Sequence, residues 1–148
     1  MRVLLGLPHQ RYHALESVTI TNQVKDAVER HALEARPDEC CGLLAGDGRL
    51  ISSVYPLRNE AANSETRYFA SPEDLFAAMS SMRRQSQTMM GIYHSHPKSS
   101  AYPSNSDVEL AFYSDSIYFI VSLAAGVEMR AFRIDNGQIT SVEIVIEE

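Results

Sequence analysis

His94-Ser95-His96-Pro97-Lys98-Ser99-Ser100-Ala101-Tyr102-Pro103-Ser104-Asn105-Ser106-Asp107 organises this chain. Ahead of it, Met89-Met90-Gly91-Ile92-Tyr93 is apolar and predicts a strand that Pro97 ends. Residues two apart in a strand share a side. His94 and His96 therefore aim two imidazoles at one point, with Ser95 turned away. Asp107 lies eleven residues beyond His96, at the start of a predicted helix, and offers a third donor. Two His and one carboxylate around a zinc ion leave a fourth tetrahedral position for water. That is the composition of a catalytic site, whereas structural sites are closed by four protein ligands and rich in Cys.

Each part also has a plainer reading. A lone His-x-His is often a surface or core pair. Ser104 and Asp107 fit a helix-start signal close to a capping box, ahead of Asp107-Val108-Glu109-Leu110-Ala111-Phe112. Their order favours the joint reading: His-x-His ends a strand, a polar loop with Pro103 follows, and Ser and Asp open the next helix. The whole string resembles the motif of the JAMM (MPN+) metalloproteases, His-x-His, seven residues, Ser, two residues, Asp. His94, His96, Ser104 and Asp107 match every fixed position. Upstream, Pro37-Asp38-Glu39-Cys40-Cys41-Gly42-Leu43-Leu44-Ala45-Gly46 looks like the Glu-bearing segment of that family. In element order the resemblance covers residues 18 to 135.

The resemblance implies one Zn2+ per chain on His94, His96 and Asp107. It makes Glu39 the general base and then acid, and gives Ser104 the developing oxyanion or the water to orient. It implies hydrolysis of a peptide or isopeptide bond after the C-terminal Gly-Gly of a ubiquitin-like protein. Only about fifty residues separate Glu39 from the histidines, so the chain looks like the small prokaryotic members. Those are associated with sulfur-carrier proteins of ubiquitin fold, which become the expected substrate and partner. Two competing readings are a non-catalytic MPN scaffold and another zinc hydrolase such as a deaminase. Scaffold relatives typically lack the metal ligands that are present here. A deaminase would need His-x-Glu and Pro-Cys-x-x-Cys, which are missing.

Composition agrees with one globular domain. The chain has 148 residues, 45% apolar and 22% charged, enough for one core. A net charge of -6 argues against nucleic acid, which needs a basic face. No apolar run approaches the roughly 18 residues of a membrane span, and Met1-Arg2-Val3-Leu4-Leu5-Gly6-Leu7-Pro8 lacks a secretory signal's length and cleavage site. Cys40 and Cys41 are adjacent, and neighbours seldom bridge without strain. They read as a buried strand start in a cytoplasmic protein, with Cys41 sharing the strand parity of Glu39. Homo-oligomerisation is left open.

In chain order, residues 1–17 read as a tail or edge segment carrying His9 and His13, and residues 18–148 as a single domain. Val18–Thr21 predicts a strand, then a helix to Ala35 capped by Thr21 or Asn22, with Val24, Ala27, Val28, His31 and Ala32 as its stripe. Strands are predicted at Cys40–Ala45, Arg49–Leu57 and Tyr68–Ala70. Ser71-Pro72 starts a helix to about Gln85 whose buried stripe is Leu75, Phe76, Met79 and Met82. After the histidine strand come a helix at Asn105–Tyr113 and strands at Ile117–Leu123, Val127–Ile134 and Gln138–Ile146, the last two joined by Asp135-Asn136-Gly137. The expected fold is α/β (α+β), a curved mixed, mainly antiparallel sheet with about three helices. The resemblance implies the same JAMM/MPN-like, cytidine-deaminase-like architecture.

Overall fold

A computed structural model describes residues 16–148. His9, His13 and the rest of the expected tail up to residue 15 lie outside the described residues. Strand β1, Ser17–Thr21, buries Val18 and Ile20 on alternate positions. Thr21 then caps helix α1, Asn22–Ala35, by accepting the Val24 N–H at 3.1 Å. Val24, Val28 and Ala32 recur every four residues and are buried.

Strand β2, Cys41–Gly46, is buried at all six positions. It turns through Asp47, whose carboxylate accepts the N–H groups of Arg49 and Leu50 at 2.8 and 2.7 Å, into β3, Leu50–Leu57. Helix α2, Pro72–Arg84, is capped by Ser71, which accepts the Asp74 N–H at 3.2 Å. Then follow β4, Thr88–His96, a five-residue α3, Asn105–Glu109, and strands β5, Ile117–Ser122, β6, Glu128–Asp135, and β7, Gln138–Glu147.

The strands lie in the order β1-β3-β2-β4-β5-β6-β7 and close, because β1 pairs in parallel with both β3 and β7. β4 and β5 are also parallel, and the remaining four pairings are antiparallel. The expected mixed sheet with three helices is present, with closure added. Strand parity splits the apolar residues into two clusters. Tyr93, Phe119, Val121 and Leu44 pack with Val24, Val28 and Ala32 of α1. Ile92, Leu43, Cys41, Tyr118 and Ile120 pack with Ala78 and Met82 of α2. His94 and His96 continue the second parity, on the same side as Ile92. No helix among the described residues is long and apolar enough to cross a membrane.

Three expectations need correction. Tyr68–Ala70 is not a strand; one bridge, Asn59 to Ala70, forms there, and the Asn59 side chain takes the Phe69 N–H that a strand partner would have bonded. Phe76 and Met79 are not core: Phe76 is 76% exposed and Met79 37%. Helix α2 is buried only at Ala78 and Met82, a narrower strip than its apolar stripe. Helix α3 stops at Glu109, not Tyr113. Its bonding tightens to Ala111 N–H on Val108 O, and the Tyr113 N–H is satisfied by the Tyr118 hydroxyl at 3.0 Å.

Gly42 faces Tyr93 across β2 and β4. A Cβ there would meet the Tyr93 ring at 2.3 Å, and the ring is fully buried with its hydroxyl 2.7 Å from His31 Nδ1. Gly42→Ala is therefore expected to destabilise the fold by about 1–3 kcal/mol through overpacking. Urea unfolding checks it: the midpoint falls with the slope unchanged, whereas a wild-type midpoint would show that the ring can tilt away.

Candidate metal centre

Strand β4 delivers its two imidazoles as the period of two requires. His94 and His96 are buried, and their Nε2 atoms lie 3.1 Å apart. Ser95 points to the other side, where its Oγ accepts the Cys40 N–H at 2.8 Å. The start of α3 delivers the carboxylate. Ser104 Oγ accepts the Asp107 N–H at 3.1 Å, and Asp107 Oδ2 accepts the Ser104 N–H at 2.9 Å, a reciprocal capping box. That bond aims Oδ2 at both rings, 3.1 Å from His94 Nε2 and 3.0 Å from His96 Nε2. Capping thus orients the third donor, and the Ser104 hydroxyl hydrogen is still available to donate.

The donor set fits a small divalent cation. Three donor atoms with mutual separations of 3.0 to 3.1 Å approach the tetrahedral edge of about 3.3 Å that zinc bonds near 2.0 Å would give. His96 Nδ1 lies 2.8 Å from the Ser100 carbonyl, an acceptor only, so Nδ1 carries the hydrogen. The Nε2 lone pair of a neutral His96 then faces a carboxylate oxygen, an arrangement that only a cation or a second proton reconciles. Electrostatics agree. Burial opposes charge on Asp107, but hydrogen bonds from His94 and His96 outweigh it and hold the carboxyl below its usual range. Burial likewise opposes charge on His96, and the Asp107 bond overcomes it and raises the imidazole. Second contacts brace the rings: Ser100 O for His96, and Tyr68, stacked on His94 at 4.7 Å between centroids.

Glu39 is buried beside this cluster, two residues before β2, and its Oε1 has no hydrogen-bond partner. Burial pushes its carboxyl up to about 7; His96 opposes the rise and the Asp107 charge adds to it. The five residues singled out in the sequence divide accordingly. His94, His96 and Asp107 form one cluster, Ser104 caps α3 and so holds Asp107, and Glu39 stands within electrostatic reach. Both thiols are buried. Burial pushes Cys40 up to about 11 and Cys41 up to about 12, which leaves them protonated and inert. Sequence reasoning missed Tyr68, Ser100 and Asn59. Ser100 acts through its backbone, and nothing in the local pattern of the other two announces a partner.

On the parity of the two histidines, an apolar groove of about 320 Å³ runs up to the cluster. Its walls include Leu43, Leu57, Phe69, Leu75, Met79 and Phe112, and it meets the cluster at Tyr68 and at Cys41, the cross-strand partner of His94.

The chain is similar in sequence and fold to known proteins. The family described as prokaryotic homologs of the JAB domain matches residues 21–135. The desampylase of Haloferax volcanii is 32% identical over 71% of this chain and 80% of its own. The CysO-cysteine peptidase of Mycobacterium tuberculosis is 31% identical over 88% and 92%. A probable TtuB-protein conjugate cleaving protease of Thermus thermophilus is 33% identical over 86% and 82%. Among solved structures, a protein from Desulfitobacterium hafniense superposes with a TM-score of 0.81 at 34% identity, covering 88% of this chain and 93% of the other. A JAB1/MPN domain protein from Archaeoglobus fulgidus shares the fold, with a TM-score of 0.58 at 20% identity over 87% and 98%. With the match spanning most of the domain that carries Glu39, His94, His96, Ser104 and Asp107, this chain belongs to the family of prokaryotic homologs of the JAB domain.

Proposed function

We propose that the protein is a zinc-dependent peptidase or isopeptidase that hydrolyses the bond after the C-terminal Gly-Gly of a ubiquitin-like sulfur-carrier protein, releasing an amino acid or a conjugated protein. The observation that carries the reading is the triangle of His94 Nε2, His96 Nε2 and Asp107 Oδ2, 3.0 to 3.1 Å on each side, with a buried, unpartnered carboxyl beside it. His94, His96 and Asp107 would hold the ion. A zinc ion held there supplies Lewis-acid polarisation of the scissile carbonyl and a water of lowered pKa.

The remaining steps belong to the chain. Glu39, held near neutral pKa by burial, takes the proton of the attacking water and returns it to the leaving amine. Ser104 keeps its Oγ as the α3 cap and donates its O–H to the carbonyl oxygen as charge develops there. Tyr68 covers the His94 ring and narrows the approach, which suits a slim Gly-Gly tail laid along the groove. Two relatives support the substrate class by name, one a CysO-cysteine peptidase and the other a probable TtuB-protein conjugate cleaving protease. A reducing cytoplasm is the compartment that suits two unpaired cysteines. In this proposal residues 18–148 form one domain that acts without nucleic acid or membrane.

Intact-mass analysis tests the reading, with zinc-loaded protein and a ubiquitin-fold carrier extended beyond its Gly-Gly. Cleavage directly after Gly-Gly, abolished by a chelator and restored by zinc, is expected. Failure to cut several such carriers with one zinc bound per chain would overturn it.

A further inference from the structure

Glu39 belongs to no helix or strand; it lies in the connection between α1 and β2. Its backbone is nevertheless held on both polar groups, and both bonds lead to the loop after β3. The Glu39 N–H donates to the Ser64 carbonyl at 2.7 Å. The Glu39 carbonyl accepts from Asn59 Nδ2 at 3.0 Å. The same Nδ2 donates to Arg67 O at 2.9 Å and, at 3.4 Å, to the Ser64 O that receives the Glu39 N–H. On its other side, Asn59 Oδ1 accepts the N–H groups of Ala61 and Phe69 at 2.9 and 3.0 Å. A carboxamide has two donor hydrogens and two acceptor lone pairs, and here all are used. The partners also fix which end is nitrogen: every group facing Nδ2 is a carbonyl, and every group facing Oδ1 is an N–H.

The neighbouring Cys40 is pinned to β4 by two bonds to Ser95, from Cys40 N–H to Ser95 Oγ at 2.8 Å and from Ser95 N–H to Cys40 O at 3.1 Å. The sheet therefore fixes one side of the Glu39 segment, and Asn59 fixes the other. Asn59 also sets the position of Phe69, and with it the groove wall that Tyr68 and Phe69 form beside His94.

We propose that Asn59 is a positioning residue for Glu39, tying the carboxyl that moves the proton to the loop that walls the substrate groove. The proposal rests on the peptidase reading above. A base misplaced by about 1 Å costs on the order of 10²-fold in rate, and no regular secondary structure holds this one. Asn suits the position because Asp would set an anionic oxygen against three carbonyls, and Gln would be one methylene too long.

The experiment uses the full-length, zinc-loaded protein. Asn59→Ala is expected to lower kcat on the extended carrier by about 10- to 100-fold, with KM changed less than about 3-fold and one zinc still bound. Introduced into Glu39→Gln, the same change should cost less than about 3-fold more, because a positioning residue has nothing left to position. Unchanged kcat in Asn59→Ala, or losses that multiply in the double variant, would overturn the proposal. Asn59→Asp covers the case in which alanine unfolds the loop. It keeps the bonds from Ala61 and Phe69 that hold the loop, removes donation to Glu39, and should lose kcat at least as far as alanine does. Amide hydrogen exchange needs no substrate and separates the two readings. The Glu39 amide should exchange at least about 10-fold faster in either variant, with the β2 interior unchanged. Unchanged exchange at Glu39 overturns the tether whatever the turnover; faster exchange in a protein whose wild type cuts no carrier supports the tether and refutes the peptidase.

Discussion

Glu39→Gln is expected to lower kcat on a Gly-Gly-extended carrier by about 10² to 10⁴-fold, the usual worth of a positioned general base, while one zinc per chain remains bound. Gln has the size of a protonated Glu and cannot accept the proton. The same substitution should leave a second signature in stability. In chelator-treated protein the buried carboxyl titrates near 7 rather than 4.5. The folded state then binds more protons than the unfolded chain between those values, so Glu39 withdraws stability as pH rises through that window. The loss approaches about 3 kcal/mol once the carboxyl is fully ionised, at about 1.4 kcal/mol for each tenfold change in proton affinity. Gln carries no such loss. The Tm of Glu39→Gln should match wild type at pH 4.5 and exceed it at pH 8, by thermal unfolding of both proteins in chelator. Equal pH dependence in the two would mean that Glu39 is solvated, and full activity of the variant would remove it from the chemistry.

Much of this centre was legible in the sequence because it is built on local periods. A strand repeats every two residues, so His94 and His96 had to share a side once β4 was a strand. A helix start demands a cap, so Ser104 and Asp107 had to meet. Closure of the sheet was not legible. β1 pairs with β3 and β7 across long sequence separations, and alternation names which side chains face inward but not which strand lies alongside. Phe76 was misplaced because an apolar stripe does not state how wide its partner surface is. Asn59 read as one more polar residue of a loop, since its partners are backbone groups whose sequence identity carries no signal. Its work is visible only when Glu39, Arg67 and Phe69 are brought together. Local rules therefore supply the metal donors, and tertiary contacts supply the placement of the base.

Asp107→Asn separates the two duties of Asp107. The side chain caps α3 through its bond from the Ser104 N–H and offers Oδ2 to the two histidines. Asn accepts the same N–H nearly as well as Asp, so helix and loop should persist, while the metal-free protein loses the stability of the charge that His94 and His96 bond. The anionic donor is lost. Zinc affinity should fall by about 100-fold or more, and cleavage of the carrier should fall to background. The contrast appears in thermal unfolding with and without zinc. Ligand binding to the folded state adds about 4 kcal/mol when zinc stands at a thousand times its Kd, which for a domain of this size raises Tm by roughly 8–16 °C. Wild type should show that rise at a zinc concentration where Asp107→Asn shows almost none. Ser104→Ala supplies the complementary case, since it removes the cap oxygen and the donor hydroxyl and leaves all three metal donors in place. It should keep most of the zinc-induced rise while losing turnover. If Asp107→Asn keeps a full zinc complement and the wild-type rise, the carboxylate is a cap alone, and the ion's third donor must be sought elsewhere around His94 and His96.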